Sequence, residues 1–316
     1  MYLDYLDFEQ PIAELQEKIA ELRQLESSSE VDIQEEVKRL ENKSEQLTRS
    51  IFANLTTMQI VRLARHPLRP YTLDYLPMIF DDFDELCGDR HFSRGFSVIG
   101  GTARLNGEPI MVIGHQKGRK TQDKLKHNFG MPSPEDYRRT QRLFQLAEKF
   151  QLPLIMLVDT AGAYPGVSAE EHNQSYSIAK NLFDLSQLST PIITVVTGEG
   201  GSGGALALSV GDRIAMLQYS IYSVISPEGC ASILWKNTDK SSEAAEAMGV
   251  TADRVKKLGL IDHIIEEPLG GAHRDPKTTA NAIKQYLEQE LTELKQLSLD
   301  DLVQKRYQKL MDYGVS

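Results

Sequence analysis

Two short runs, residues 153–158 and 191–197, constrain this chain more than any other feature. Each is apolar at almost every position, and each leads into a glycine-bearing stretch and then a helix-like pattern. A strand with one wet face alternates polar and apolar side chains, so an unbroken apolar run marks a strand covered on both faces. Strands of that kind, alternating with helices, belong to an α/β sheet held between helical layers. Strand-like runs at residues 213–218, 221–225 and 260–265 continue the pattern. Upstream, residues 96–105 and 109–115 are β-like. They are joined by Asn106-Gly107, a pair suited to the positive φ angles of a tight hairpin turn.

Helix signals fill the intervals. Ser133-Pro134-Glu135-Asp136 offers a cap, a proline at the first helical position and acids in the first turn, predicting a helix to about residue 150. Ser168 and Glu171 form a capping-box pattern that predicts a helix to about residue 188. Further helices are expected at 205–210, 228–235, 241–248 and 251–258, with two more from about residue 275 to the end. A short helix at 57–65 should stop at His66-Pro67-Leu68-Arg69-Pro70, where proline removes a donor and restricts its predecessor.

The first fifty residues differ. Ile12, Leu15, Ile19 and Leu22 form one apolar stripe. Ile33, Val37, Leu40, Leu47 and Ile51 form a second, with Ser44 its polar member, and Ser27-Ser28-Ser29 lies between them. Two such helices make an antiparallel hairpin that must bury its stripe on another surface. The expected organisation is therefore a helical hairpin, residues 1–55, and a main domain, residues 56–316.

Charge and cysteine content exclude some roles. A net charge of −10 argues against general affinity for nucleic acid or an anionic membrane. Residues 104–142 run against that balance, with nine Lys/Arg and four Asp/Glu. Lys117, Arg119 and Lys120 are the anion-binding candidates in this basic stretch. No apolar run is long enough to span a bilayer. The opening carries Asp4, Asp7 and Glu9 and no Lys or Arg within its first ten residues, unlike a secretory or transit segment, so a cytoplasmic location is expected. Cys87 and Cys230 are isolated, which suggests neither a zinc knuckle nor a disulfide framework, and no metal site is expected.

The richest segment is Gly198-Glu199-Gly200-Gly201-Ser202-Gly203-Gly204, between an expected strand and an expected helix. Three readings fit it. Gly198, Gly200 and Gly203 match a dinucleotide fingerprint, but that pattern wants an acid ~20 residues on, and none stands between Arg213 and Pro227. Gly200, Ser202 and Gly204 match a hydrolase nucleophile elbow, for which Asp212, Asp262, His263 and His273 stand in the right order to supply a triad. In the third reading, backbone N–H groups of Gly203 and Gly204 stabilise a developing oxyanion, and Gly200, Gly201 and Ser202 shape the turn. The segment by itself does not choose.

Longer motifs narrow the choice. They are Leu6-Asp7-Phe8-Glu9-Gln10-Pro11-Ile12, Gly114-His115-Gln116-Lys117-Gly118-Arg119, Asp159-Thr160-Ala161-Gly162-Ala163-Tyr164-Pro165-Gly166, the glycine run, Tyr222-Ser223-Val224-Ile225-Ser226-Pro227-Glu228-Gly229, and Pro268-Leu269-Gly270-Gly271-Ala272-His273-Arg274. Together they resemble the carboxyltransferase alpha subunit of multisubunit acetyl-CoA carboxylase over nearly the whole chain. The resemblance implies a crotonase-like (ClpP-like) α/β fold of repeated ββα units. It implies transfer of a carboxyl group from carboxybiotin, presented by a biotin carboxyl carrier protein, to acetyl-CoA, giving malonyl-CoA for fatty acid synthesis. It also implies a beta subunit that completes the site in an alpha2beta2 assembly and holds a zinc ion. A separate biotin carboxylase would use the ATP, and no cofactor would be bound by this chain itself. On this reading Gly203 and Gly204 serve the biotin side. Gly162, Ala163, Tyr164, Pro165 and Gly166 line the pocket, with Gly200, Gly201, Ser202, Lys117 and Arg119 as further substrate contacts. The competing expectation is a serine hydrolase using Ser202.

Overall fold

The computed structural model describes residues 5–28, 34–93 and 95–314. Its chain opens with a single helical turn, Asp7–Glu9, then α1 (Gln10–Ser28) and α2 (Gln34–Phe52). Next come α3 (Thr57–Ala64), α4 (Thr72–Ile79) and the strands β1 (Asp81–Glu85), β2 (Val98–Leu105) and β3 (Glu108–His115). Helices α5 (Thr121–Lys126) and α6 (Pro134–Lys149) lead to β4 (Leu154–Thr160). Then follow α7 (Val167–Glu171), α8 (Gln174–Gln187), β5 (Ile192–Gly201) and α9 (Ser202–Leu206). The rest is β6 (Arg213–Leu217), β7 (Ile221–Ser223), α10 (Pro227–Trp235), α11 (Ser241–Met248), α12 (Ala252–Lys257), β8 (His263–Ile265), α13 (Pro276–Leu294) and α14 (Leu299–Asp312).

Among the described residues the strands form one sheet in the order β1-β2-β3-β4-β5-β6-β8, with β7 also pairing β5. The first three strands are antiparallel and the rest run parallel. The apolar runs are legible in the packing. Leu154, Met156 and Val158 enter the core under α6 and α8. Ile155 and Leu157 point the other way, against α4 and α13. Both faces of β4 and β5 are covered, which is why their sequences do not alternate. The Asn106-Gly107 turn takes φ of 51° and 80°, as the hairpin requires.

Ile12, Phe52, Leu63 and Tyr219 share one apolar cluster, so the helical pair α1–α2 docks on the main body. The polar member of its stripe, Ser44, is buried and accepts a 2.9 Å hydrogen bond from Gln16 Nε2. Ser29 and Ile33, which the sequence placed between and within the stripes, lie outside the described residues.

Several boundaries differ from expectation. The glycine run continues β5 to Gly201, because β7 pairs with it there. The following helix is α9, one turn long and earlier than the expected 205–210. Ser168 does not cap a long helix. It lies inside α7, and Asn173 at φ 66° separates α7 from α8. β1 was not foreseen: Asp-Asp-Phe-Asp-Glu is almost wholly polar, as an exposed edge strand can be.

Candidate active site

β5 changes neighbours half-way along. Its first part pairs β6 through Ile193–Val196, and its last part, from Glu199 to Gly201, pairs β7. The chain then turns at Ser202, whose φ of 52° is unusual for a residue with a side chain, and enters α9. The strand–turn–helix context of the sequence reading is present.

The turn presses against the segment that follows β4. A Cβ at Gly201 would sit 2.2 Å from the Ala161 carbonyl oxygen. One at Gly204 would lie 2.5 Å from the Gly162 carbonyl carbon and 2.6 Å from the Ala163 nitrogen. Two backbones meet without side chains between them, which only glycine allows. Gly203 is the exception: a Cβ there would meet only Ile178, at 3.5 Å. Gly204 is buried and Gly203 half-buried. The first N–H groups of a helix have no acceptor within it, and of these two Gly203 is the more open. Ser202 and Gly203 flank a cavity of about 360 Å³ whose walls include Leu206, Tyr222, Val224 and Leu310.

The structure therefore brings Gly200, Gly201, Ser202, Gly203 and Gly204 together with Gly162 and Ala163. It turns Tyr164 elsewhere, toward a separate cavity that it shares with Phe92, Phe96 and His172. The Tyr164 N–H donates to the Pro132 carbonyl at 3.0 Å, and Gln174 Nε2 donates to the Tyr164 carbonyl at 3.0 Å. Pro165 and Gly166 continue away along that loop toward α7, and the Gly166 backbone lies under the Tyr164 ring.

Two of the three basic candidates, Lys117 and Arg119, are already engaged. Lys117 Nζ lies 2.7 Å from Asp159 Oδ1 and 2.8 Å from Glu199 Oε2. Arg119 donates to the Pro67 carbonyl at 2.7 Å, pairs with Asp74 and stacks over the Tyr71 ring. Neither presents an uncompensated positive charge. Three residues of this network escaped the sequence reading as functional: Arg65, Asp159 and Glu199. Arg65 links Glu199, at 2.6 Å, to Glu228 in the first turn of α10, at 2.7 Å. The signal was a charge in the middle of a glycine run. Burial pushes the Glu199 carboxyl up, but Lys117 and Arg65 outweigh it and hold that carboxyl below its ordinary range. Burial would lower the Lys117 ammonium, yet Asp159 and Glu199 keep it above its ordinary value.

Among the described residues no triad forms around Ser202. Asp212 is held bidentately by Arg306, and Asp262 is paired with Lys309. His263 stacks on Tyr286, and His273 is buried against His66 with ring centroids 3.8 Å apart. None of these lines the cavity beside Ser202. His66, His273 and Glu9 bring potential ligand atoms within 4.8 Å of one another. The two imidazole planes are only 21° from parallel, however, so their in-plane lone pairs run side by side instead of converging. Glu9 is also taken up by Arg274 at 2.7 Å.

Comparison with known proteins follows the same lines. A sequence profile described as acetyl co-enzyme A carboxylase carboxyltransferase-like matches residues 5–314. The chain belongs to the acetyl-CoA carboxylase carboxyltransferase family. A Coxiella burnetii (strain Dugway 5J108-111) protein named acetyl-coenzyme A carboxylase carboxyl transferase subunit alpha is 62% identical to it over 314 residues, 99% of each chain. Among solved structures, the transcarboxylase 12S hexamer core with methylmalonyl-coenzyme A superposes with a TM-score of 0.56 at 21% identity, covering 69% of this chain and 41% of that one. A Pseudomonas malonate decarboxylase hetero-tetramer in complex with coenzyme A gives 0.56 at 16% identity, covering 66% and 84%. At such identities these two likenesses speak for the fold, which is crotonase-like. Membership of a carboxyltransferase family, together with the missing triad, leaves the serine hydrolase reading without support. Among the described residues of this carboxyltransferase-family chain, no helix is long and apolar enough to cross a membrane.

Proposed function

We propose that this chain is the alpha half of a biotin-dependent carboxyltransferase that, with a beta subunit, moves a carboxyl group from carboxybiotin to acetyl-CoA. The observation that carries the reading is Gly203. Among the glycines of the turn its backbone is the open one, and it borders a cavity with apolar walls in which, among the described residues, no acid, base or nucleophile is paired with Ser202. An N–H donor gains strength where water and competing charges are few.

The residues fit a ureido group: the nearest side chain to a Cβ at 203 is 3.5 Å away, and Leu206 and Tyr222 offer apolar walls to a ring. When bound, carboxybiotin would supply the carboxyl group and accept the proton that the acetyl methyl gives up as its carbon receives that carboxyl. This chain holds the negative charge that builds on the ureido oxygen, through the N–H of Gly203 and, behind it, of Gly204. Gly200, Gly201, Ser202, Gly162 and Ala163 shape that holder. The other half of the site, which would hold the acetyl-CoA enolate, belongs to the beta subunit with its zinc. An alpha2beta2 assembly, served by the biotin carboxyl carrier protein and biotin carboxylase in the cytoplasm, follows from the same reading. Exposed apolar side chains at Val224, which lines the cavity beside the turn, and at Ile233, Leu234 and Trp235 at the end of α10 suit a partner surface. Residues 1–55 and 56–316 are proposed as the two units of the chain.

The test is a reconstituted alpha–beta complex making malonyl-CoA. Gly203→Val adds bulk where the structure has room for its first carbon, so the fold should survive. The turnover should fall by about 100-fold or more, the usual effect of losing one oxyanion donor. Ser202→Ala should cost less than about tenfold, whereas a serine nucleophile would lose several orders of magnitude. Unchanged turnover in Gly203→Val sinks the reading.

A further inference from the structure

Between the pairs Val158–Val196 and Thr160–Gly200, β4 advances two residues while β5 advances four. β5 therefore carries a bulge at residues 197–199, immediately before the glycine turn. Bulges of this kind re-aim the chain beside active sites. What holds this one is electrostatic. Asp159 Oδ1 accepts the Glu199 N–H at 2.9 Å and takes Lys117 Nζ at 2.7 Å. The same ammonium reaches Glu199 Oε2 at 2.8 Å. Gly198 makes the approach possible, since a Cβ there would sit 2.5 Å from Asp159 Oδ1. The Lys117 stem is packed on Gly130, where a Cβ would lie 2.5 Å from its Cγ. Lys117 is thus fixed along its length, with a side chain only 14% exposed.

We propose that Lys117 is a positioning residue: by neutralising Asp159 and Glu199 together, it pins the bulge that aims the Gly203 N–H at the cavity. The inference rests on the oxyanion reading above. A substrate anion would find little attraction here. Lys117 and Arg65 face three carboxylates, those of Asp159, Glu199 and Glu228, so the cluster is already negative overall. Remove the ammonium, and two buried carboxylates are left close together with the backbone of Glu199 between them. Arg65 still pairs with Glu199, but the two carboxylates no longer share a cation, so they move apart or one takes up a proton, and displacing the turn by about 1 Å is enough to cost about 100-fold in rate.

The experiment uses the reconstituted complex. Lys117→Met should lower kcat by about 100-fold while leaving KM for acetyl-CoA within about threefold, the pattern of lost transition-state alignment. Adding Glu199→Gln removes one of the two carboxylates that shared the ammonium and should recover at least about tenfold of that loss. The single variant should also regain activity as pH is lowered, because protonation does the same work as the amide. Loss of packing alone gives neither rescue. If Lys117→Met does not assemble with its partner, the double variant must recover assembly as well. Lack of rescue, kcat within about twofold of wild type, or a raised KM with kcat intact overturns the proposal. Gly203→Val is measured alongside. If it leaves turnover unchanged, the oxyanion reading fails. If it abolishes turnover while Lys117→Met does not, only the positioning role fails.

Discussion

Two buried carboxylates, Asp212 and Asp159, sit near opposite ends of the central strands and are satisfied in different ways. Asp212 meets Arg306, whose guanidinium grips both carboxylate oxygens at 2.8 and 2.9 Å. The same guanidinium also donates to the carbonyls of Leu185, Leu188 and Thr190. Asp212 in turn receives the Ile192 N–H at 2.7 Å. The fork is saturated, and it clasps α14 to the end of α8 and the start of β5. Asp159 instead shares one lysine with a second carboxylate, and the chain of pairs runs on through Arg65 toward half-exposed Glu228. A planar guanidinium suits a fixed joint, and a point charge between two acids suits a joint whose position matters more than its strength. The first closes the fold, and the second sets the direction of the turn.

The largest effect expected from this contrast is on stability. Arg306→Ala strands a buried carboxylate and should cost about 3–5 kcal/mol, read as a lower denaturant midpoint at unchanged slope. The folded fraction should keep its turnover. If its activity per folded molecule falls as far as in Lys117→Met, the division between closing and aiming is wrong.

Acid should separate the two ends next. His115, beside Asp159, is fully buried and accepts the Asp159 N–H at 3.4 Å. Burial, with Lys117 adding to it, pushes its pKa down to about 3. His273, stacked on His66, is pushed down by burial and by His66 to about 2. Both bind a proton more readily in the unfolded chain, near the ordinary 6.5, than in the folded one. The stability they contribute is therefore complete above pH 6.5 and is lost as pH falls below it, at about 2 kcal/mol each by pH 5. Hydrogen exchange at pH 5 should quicken around residues 114–116 and 197–201 before it does around 185–192. The reverse order would contradict the contrast.

The smallest effect concerns Ser202. Its positive φ is strained for a residue with a side chain, so Ser202→Gly should relieve about 1 kcal/mol, the low end for such strain, offset by glycine's greater freedom in the unfolded chain. A midpoint within about 1 kcal/mol of wild type is expected, and a much larger shift in either direction would mean that the turn, too, closes the fold.

The double-sided strands β4 and β5 were legible because burial on both faces writes itself as an unbroken apolar run. The Asn106-Gly107 hairpin was legible because its turn needs two residues that tolerate positive φ. β1 was not, since an exposed edge strand of acids carries no hydrophobic period. The glycine run was recognisable as a site, but not as strand. What keeps residues 199–201 extended is pairing with β7, about twenty positions later, and no local signal announces a partner at that distance. Lys117 was singled out for its charge, and only three-dimensional proximity shows that Asp159 and Glu199 had already claimed it. The family motifs located the turn, while the division of labour between Gly203 and Gly204 came from the space around each.

The change of neighbours along β5 has a mechanical consequence. The strand is a beam clamped between β4 and β6 over its first half. Past the bulge it is carried by β7, and its one ladder pair with β4 is Gly200 with Thr160. Load applied at the glycine tip bends the beam at the bulge, where the clamp ends, and is not transmitted into the doubly covered half. The tip can be pushed, by an arriving partner or a new side chain, while the sheet behind it stays still.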